Sequence, residues 1–545
     1  MCAIIVKDSW FELCFVRLAT CKLVQGGISA IICALMRTFF DDASHHMANS
    51  GMTLDLSHDG SKVKVFMTMG SFIADEAALH AVFCCKGSSG LKPCLLCQNI
   101  FNFKEGRGIV ELDPTGFAQH HTVSDVAKLV LHTTATIAAV IARLRVGYET
   151  LNNGSLKELQ TRLGWTHVPG SVMFDNLGSQ PLLPTEHAMY DWMHIFFVSG
   201  VFNVHVGQLM AFLHGFNIKY SMIHTYLQEF HWPAQVGSLT GKDACCPKRA
   251  KSSWTAVEFR VTASEGLSLY PILANFMQAL IANADTAAEV RQHVMCFLSL
   301  VSVVELIRRS ARGTVLPAQL TAALGVFMDA FRVLYGDSAM IIKFHYTLHL
   351  PMYLQRYGML PSCFVHERKH RLPKRFANEV KNTKWNWDAS VLREVTCFHL
   401  CHLDGIGALD VSLTDARPCK KHLQALLQQE FNVPDGCVDV VFATGREARF
   451  NQWEKCSRGD LCMVKSGDGV VIGRCGFHAS VSCDGHVDMV SSFAAWHIES
   501  QSDRAWKCSP TERQFMVLTQ EVMCTLTWAG SDGLCTVLKP THVSQ

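Results

Sequence analysis

Cys94-x-x-Cys97, in the stretch Lys92-Pro-Cys-Leu-Leu-Cys after Gly90, carries thiols at a spacing that suits metal ligation from a loop. A closed tetrahedral zinc site needs two further donors. The nearest are His120 and His121, with Cys84 and Cys85 as competitors. A redox role for the pair lacks a surrounding thioredoxin-like βαβ pattern, and chance pairing is a third reading in a chain with 23 cysteines.

Carboxylates supply the other candidate chemistry. Asp75 ends an apolar run and precedes the helix-like AALHAVF. It can hold Mg²⁺, which takes one or two protein oxygens plus substrate phosphate, or it can cap that helix. Asp191 and His194 fall one helical turn apart within an apolar segment, so they share a face. Such a pair either satisfies itself or stands beside a metal. His345 and His349 are spaced in the same way, but the glutamate of HExxH is missing, which excludes a zinc-protease motif and leaves a packed amphipathic helix. Glu367 lies in His366–Trp385, where Arg368, Lys369, Arg371, Lys374, Arg375, Lys381 and Lys384 face only Glu367 and Glu379 in count. That strip suits contact with a phosphate backbone, and a solvated helix face is the alternative.

These residues need elements to hold them. Val63–Met69 reads as β-rich and leads into Ile73-Ala-Asp75 as a strand-to-helix turn. Val126–Leu144, Tyr190–Tyr226 and Val261–Tyr335 have helical period, while Thr166–Thr185 is broken by prolines and glycines and Lys242–Ser253 reads as a polar basic loop. After a boundary near Phe431–Asp439 come short β-like runs, among them Asp460–Val464, Val470–Arg474, Val487–Val490, Phe515–Leu518 and Cys535–Leu538. Separated by Gly and Asp turns, they have the rhythm of a small β-barrel.

The bulk numbers set wide bounds. A chain of 545 residues with 49% hydrophobic and 18% charged residues is not disordered, and its length suits roughly two to four domains. A net charge of +2 gives no global case for nucleic-acid binding, which must come from local patches. The scattered, odd-numbered cysteines suit reduced intracellular thiols better than a secreted disulfide framework. The N-terminal apolar stretch is too short for a signal peptide. Val294–Ile307, the most apolar run, carries Glu305 and falls short of the roughly 20 residues a membrane span needs. The expectation is a soluble protein with no membrane partner. No P-loop, dinucleotide fingerprint or GxSxG is present, so nucleotide hydrolases and α/β-hydrolases have no support.

Three blocks, taken in order, resemble transposase-derived proteins of the CACTA (En/Spm-like) superfamily. They are ADEAALHAVFCCKGSSGLKPCLLCQN, YDWMHIFFVSGVFNVHVG, and KFHYTLHLPMYLQRYG with VHERKHRLPKRFANEV. The resemblance spans roughly residues 60–400 and implies a DDE enzyme ancestry with an RNase H-like fold. The expected architecture is α+β and multidomain: a partial RNase H-like core with a CxxC zinc loop over 1–200, a helical insertion over 201–345, a basic helical segment over 346–430 that completes the core, and a small β-barrel over 431–545. By the same resemblance, Asp75, Asp191, His194 and Glu367 are the catalytic candidates, holding Mg²⁺ or Mn²⁺ if the site is active. Arg368, Lys369, Arg371, Lys374 and Arg375 would contact DNA, and Cys94, Cys97, His120 and His121 would hold a structural zinc. The family's first catalytic Asp has no counterpart here, since Asp8, Asp41 and Asp42 sit on no convincing central strand. The expectation is therefore a catalytically inactive, DNA-binding relic, nuclear by the resemblance. The alternative is a protein-interaction scaffold using the helical middle and the C-terminal barrel.

Overall fold

In the computed structural model, residues 16, 18–40, 47–55, 61–102, 118–174, 182–364, 371–379, 387–403, 411–430, 440–450, 454–467, 469–483, 486–530 and 533–540 are described. The fold is mixed, 50% helical and 23% strand, and its strands concentrate in a C-terminal sheet. It divides into two compact units: Met1–His205 with Ser310–His399, and Val206–Arg309 with Leu400–Gln545.

In the first unit, two short strands set the geometry. Strand β1 (Phe72–Ala74) pairs in parallel with β2 (Ala188–Tyr190), with Phe72 opposite Ala188 and Ala74 opposite Tyr190. Each strand runs directly into an aspartate and then a helix: Asp75 into α1 (Glu76–Val82) and Asp191 into α2 (Trp192–Phe197). The Asp191 N–H continues the ladder to the Ala74 carbonyl at 3.1 Å. All three residues of β2 are buried, as expected of a parallel strand covered on both faces. Lys343 donates to the His194 and Val198 carbonyls at 3.2 and 2.5 Å, placing a cation at the negative end of α2.

Helix α3 (Ile342–Thr347) and helix α4 (Leu350–Tyr357) follow one another closely, with Pro351 in the first turn of α4, where no N–H is missed. The helix Pro317–Tyr335 packs Phe327 and Phe331 on Phe344 of α3, with ring centroids 5.9 and 4.7 Å apart. The same two rings surround His205. This packing places residues 310–345, read from sequence as part of a helical insertion, in the first unit.

In the second unit, residues 206–309 join the C-terminal sheet. Helix Ala263–Ala282 begins with a capping box in which Thr262 and Glu265 each satisfy the other's backbone N–H, and Arg249 adds a two-pronged ion pair to Glu265 at 2.8 and 2.9 Å. Lys242–Ser253 is not wholly a loop, because Pro247 opens the helix Pro247–Ala256. Helix Ala288–Ser310 buries Val294, Phe297, Leu300, Val301, Val304 and Ile307. Together with the stretch Trp192–His214 it is long and apolar enough to cross a membrane by length and composition, and 56% of its most apolar window is buried inside the protein.

The sheet has ten strands: β3 (Phe230–His231), β4 (Arg417–Pro418), β5 (Val441–Gly445), β8 (Leu461–Ser466), β9 (Gly469–Cys483), β10 (His486–Gln501), β11 (Ala505–Leu518), β12 (Val522–Leu526), β13 (Trp528–Ala529) and β14 (Cys535–Leu538). A separate three-stranded sheet holds Ser412–Thr414, β6 (Glu447–Arg449) and β7 (Lys455–Ser457). Each of the five C-terminal β-like runs read from the sequence overlaps a strand, with Asp460 just before β8, while of Val63–Met69 only the part up to Val65 is strand, in Lys62–Val65. The ladders among the described residues nevertheless trace an open path and not the closed ring of a small barrel. The reason is the length of β9 to β11. One half of β9 pairs with β5 and the other half with β8, so the long strands serve two sub-sheets and bend at bulges. Leu461, Ile472, Trp496, Trp506, Leu526 and Val537 form a core on the inner face.

Candidate metal centre

The CxxC loop lies within the first unit, and both sides of it are tied down. On one side the Gln98 N–H donates to the Val130 carbonyl and the His132 N–H to the Leu96 carbonyl, each at 2.8 Å. On the other, the Leu95 N–H donates to the Tyr190 hydroxyl at 3.2 Å, and the Tyr346 hydroxyl lies 3.2 Å from the Pro93 carbonyl and 3.0 Å from Glu76 Oε1. Tyr190 and Tyr346 stack with centroids 4.1 Å apart. The chain enters the loop through Gly87 at φ +55°, where a Cβ would come within 2.3 Å of the His80 ring. Only glycine accepts both the backbone angle and that approach.

Held in this way, Cys94 and Cys97 meet the two histidines of α3 and its join to α4. Cys94 Sγ is 3.3 Å and Cys97 Sγ 3.6 Å from His349 Nε2, which is 3.2 Å from His345 Nε2. All four donor atoms lie within 4.8 Å of one another and all four residues are buried. The group can hold a metal ion. His345 and His349 converge because both lie in helical backbone one turn apart. Burial pushes the His345 imidazole down, toward the neutral form that offers a lone pair. Burial works to raise Cys94, but the Cys97 thiol and the two imidazoles outweigh it and hold Cys94 well below the usual thiol range. Cys97 is pushed up by burial and by its neighbour. The Leu96 N–H, 3.4 Å from Cys94 Sγ, is a further donor toward that thiolate.

His120 and His121, expected from sequence to complete the set, are placed elsewhere. His121 Nε2 is 2.9 Å from the Met340 carbonyl. A ring nitrogen facing a carbonyl must carry its proton, so Nε2 has no lone pair for a cation, and His121 is not in the compact donor group with Cys94 and Cys97. His120 Nδ1 is engaged by Thr122 Oγ1 at 2.8 Å. The histidines that do meet the two thiols, His345 and His349, were legible as an i,i+4 pair, read as a packed amphipathic helix for want of a glutamate.

Asp75 takes its capping alternative, and Asp191, paired with His194 as one reading expected, is in addition a helix N-cap. Asp75 accepts from the Ala78 N–H at 2.6 Å as the N-cap of α1. Asp191 is buried, and its two oxygens accept from the N–H groups of Met193 (3.3 Å), His194 (3.2 Å) and Cys363 (2.9 Å), while His194 Nδ1 closes in at 2.5 Å. Asp191, His194 and Cys363 also form a compact donor group, but these bonds already occupy the Asp191 carboxylate. Glu367, Arg368 and Lys369 lie outside the described residues. Arg371 opens the helix α5 (Arg371–Glu379), on which Lys374 and Arg375 are exposed and Arg375 pairs with Glu379 at 3.1 Å.

Compared with known proteins, the chain matches no protein-family model and no curated protein.

Proposed function

We propose that the chain is a transposase-derived nucleic-acid-binding protein, RNase H-like in descent, in which a zinc ion staples the core and the carboxylates no longer perform catalysis. One observation carries this reading: Asp75 and Asp191 stand at matching positions past the ends of adjacent parallel strands, and each is spent on capping the helix that follows. Two aspartates side by side at strand ends are the arrangement a two-metal phosphoryl-transfer site starts from. A carboxylate with four donors already on it is poorly placed to give that role.

Zinc is the metal the thiol–imidazole set suits. With Zn–S at about 2.3 Å and Zn–N at about 2.0–2.1 Å, a tetrahedron has N–N edges of roughly 3.3–3.4 Å and S–N edges of roughly 3.5–3.6 Å. The corresponding separations here are 3.2 Å between the imidazole nitrogens and 3.3 and 3.6 Å from sulfur to nitrogen. The Cys2His2 set is closed by four protein donors and buried, which supports a structural ion over a catalytic one. The ion would join the CxxC loop to the α3–α4 corner, and hence the turn after α1 to the helices behind β2.

Nucleic-acid binding rests on the basic strip around α5. The full-length protein is expected to bind duplex DNA at low salt, to lose affinity steeply as salt rises, and to leave the DNA uncut with Mg²⁺ or Mn²⁺. With Lys374 and Arg375 both changed to Ala, the slope of log affinity against log salt should fall by about 1.8, at about 0.9 per lost phosphate contact. Cleavage that depends on Asp75 and Glu367 would reveal a complete metal site and overturn the inactive reading. Absence of binding at low salt would sink the nucleic-acid reading and leave the protein-interaction scaffold.

A further inference from the structure

A second group of metal-type donors lies in the C-terminal sheet. Cys456, Cys475 and His478 offer three donor atoms within 4.8 Å of one another, all on buried residues. Cys462, also buried, places its Sγ 3.3 Å from that of Cys456. Buried thiols alone are commonly small apolar filler, and Cys456, Cys462 and Cys475 do pack among Phe450, Val464, Phe493 and Val522. The histidine argues for more than filler. His478 is 0% exposed, and burying an imidazole in such surroundings is costly unless both ring nitrogens are used. Its Nδ1 is held by the Ser491 hydroxyl at 2.7 Å, and Ser491 is in turn 2.9 Å from the Thr519 hydroxyl. That leaves Nε2 aimed at Cys475 Sγ, 3.3 Å away. An imidazole with one nitrogen fixed by a hydrogen bond and the other turned to thiols is how protein metal sites orient a histidine ligand.

The backbone makes the convergence possible. Residues three apart in a regular strand point to opposite faces, so Cys475 and His478 should diverge. In β9 the register against β10 shifts between Cys475, opposite Phe493, and Phe477, opposite Ser492. Gly476 is the extra residue of this bulge, and the slip returns His478 to the face of Cys475. Cys456 arrives from β7 in the three-stranded sheet, and Cys462 from β8 alongside β9.

We propose that Cys456, Cys475 and His478 form a second zinc site, a Cys2His centre that joins the three-stranded sheet to the main one, with Cys462 Sγ, 3.3 Å from Cys456 Sγ but outside the compact group of three, as a further donor beside it. It stands independently of the Cys2His2 centre, since the two share no residue and lie in different units. The test uses the full chain and zinc itself. The wild type should hold two equivalents of zinc, Cys475→Ser should hold one, and Cys94→Ser one. If the Cys2His2 reading is wrong and this one right, the wild type holds a single equivalent that Cys475→Ser removes and Cys94→Ser does not. Because a serine in this apolar cluster could unfold the sheet, a second measurement uses the unaltered protein. Cys456 and Cys475 should resist alkylation under native conditions until a chelator is added, and should then react at least tenfold faster. Zinc content unchanged by Cys475→Ser, or alkylation indifferent to the chelator, would overturn the site. So would recovery of Cys456 in a disulfide with Cys462 or Cys475 from freshly purified reduced-buffer protein.

Discussion

Replacing Asp191 separates a structural carboxylate from a catalytic one. In the folded chain its side chain caps α2 through the Met193 and His194 N–H groups and also accepts from the Cys363 N–H at 2.9 Å, in a fully buried setting. Asp191→Ala removes the cap, a loss of about 1 kcal/mol. It also strands the buried Cys363 N–H, which costs about 1–3 kcal/mol. The sum is about 2–4 kcal/mol, a large share of a domain's net stability. Asp191→Asn keeps one carbonyl oxygen but turns an NH₂ toward one set of donors, so it should lose an intermediate amount. Urea unfolding followed by tryptophan fluorescence is the assay, and Trp192, whose indole N–H donates to the Leu360 carbonyl at 3.2 Å, sits beside the cap as a local reporter. The midpoint should fall in the order wild type, Asn, Ala. If the Ala variant loses less than about 0.5 kcal/mol, the size of an ordinary surface change, the carboxylate is not spent on structure and the reasoning fails.

Two further outcomes follow from particular contacts. Gly87→Ala puts a side chain at φ +55° and against the His80 ring, so it should destabilise by about 1–3 kcal/mol and raise the metal-exchange rate of the Cys94–Cys97 loop; unchanged thermal midpoint and exchange would refute that role. The Arg249 guanidinium, and against it a smaller burial effect, holds the Glu265 carboxyl below its ordinary value of 4.5. A depressed carboxyl contributes stability above its unfolded pKa and loses it as pH falls through the lower folded value. Glu265→Gln should therefore be less stable than wild type at pH 7 and converge with it below the folded pKa, as read from thermal midpoints across pH; a gap that persists in acid would point to lost packing instead.

What could be read in advance depended on whether the signal was local. Asp75 was recognisable as a helix start because capping is settled within three residues, whereas Asp191 read as an interior helical position paired with His194 and proved to be the N-cap; the C-terminal strands showed because alternation is a property of neighbours. The candidate metal centre was only half legible. Cys94 and Cys97 looked like a pair short of two ligands, and His345 and His349 like a pair short of a glutamate. The two deficits answer each other across a separation of 252 residues between Cys97 and His349, and His120 and His121 won by proximity in sequence. Gly476 gave no warning of a bulge, because the slip in β9 exists only against its partner strand. The grouping of residues 310–345 with the first unit was hidden for the same reason, since Phe327 and Phe331 read as a generic apolar face until Phe344 is set against them.

The most direct test of the central claim is the zinc content of the purified full-length chain compared with its Cys94→Ser and His349→Ala variants, with cobalt substitution to read the ligand set. Each variant should lose one equivalent of metal, and cobalt restored to that site in the wild type should give the strong visible bands of tetrahedral thiolate and imidazole ligation. Zinc content equal in all three proteins, with Cys94 and Cys97 open to alkylation in the native state, would contradict the account.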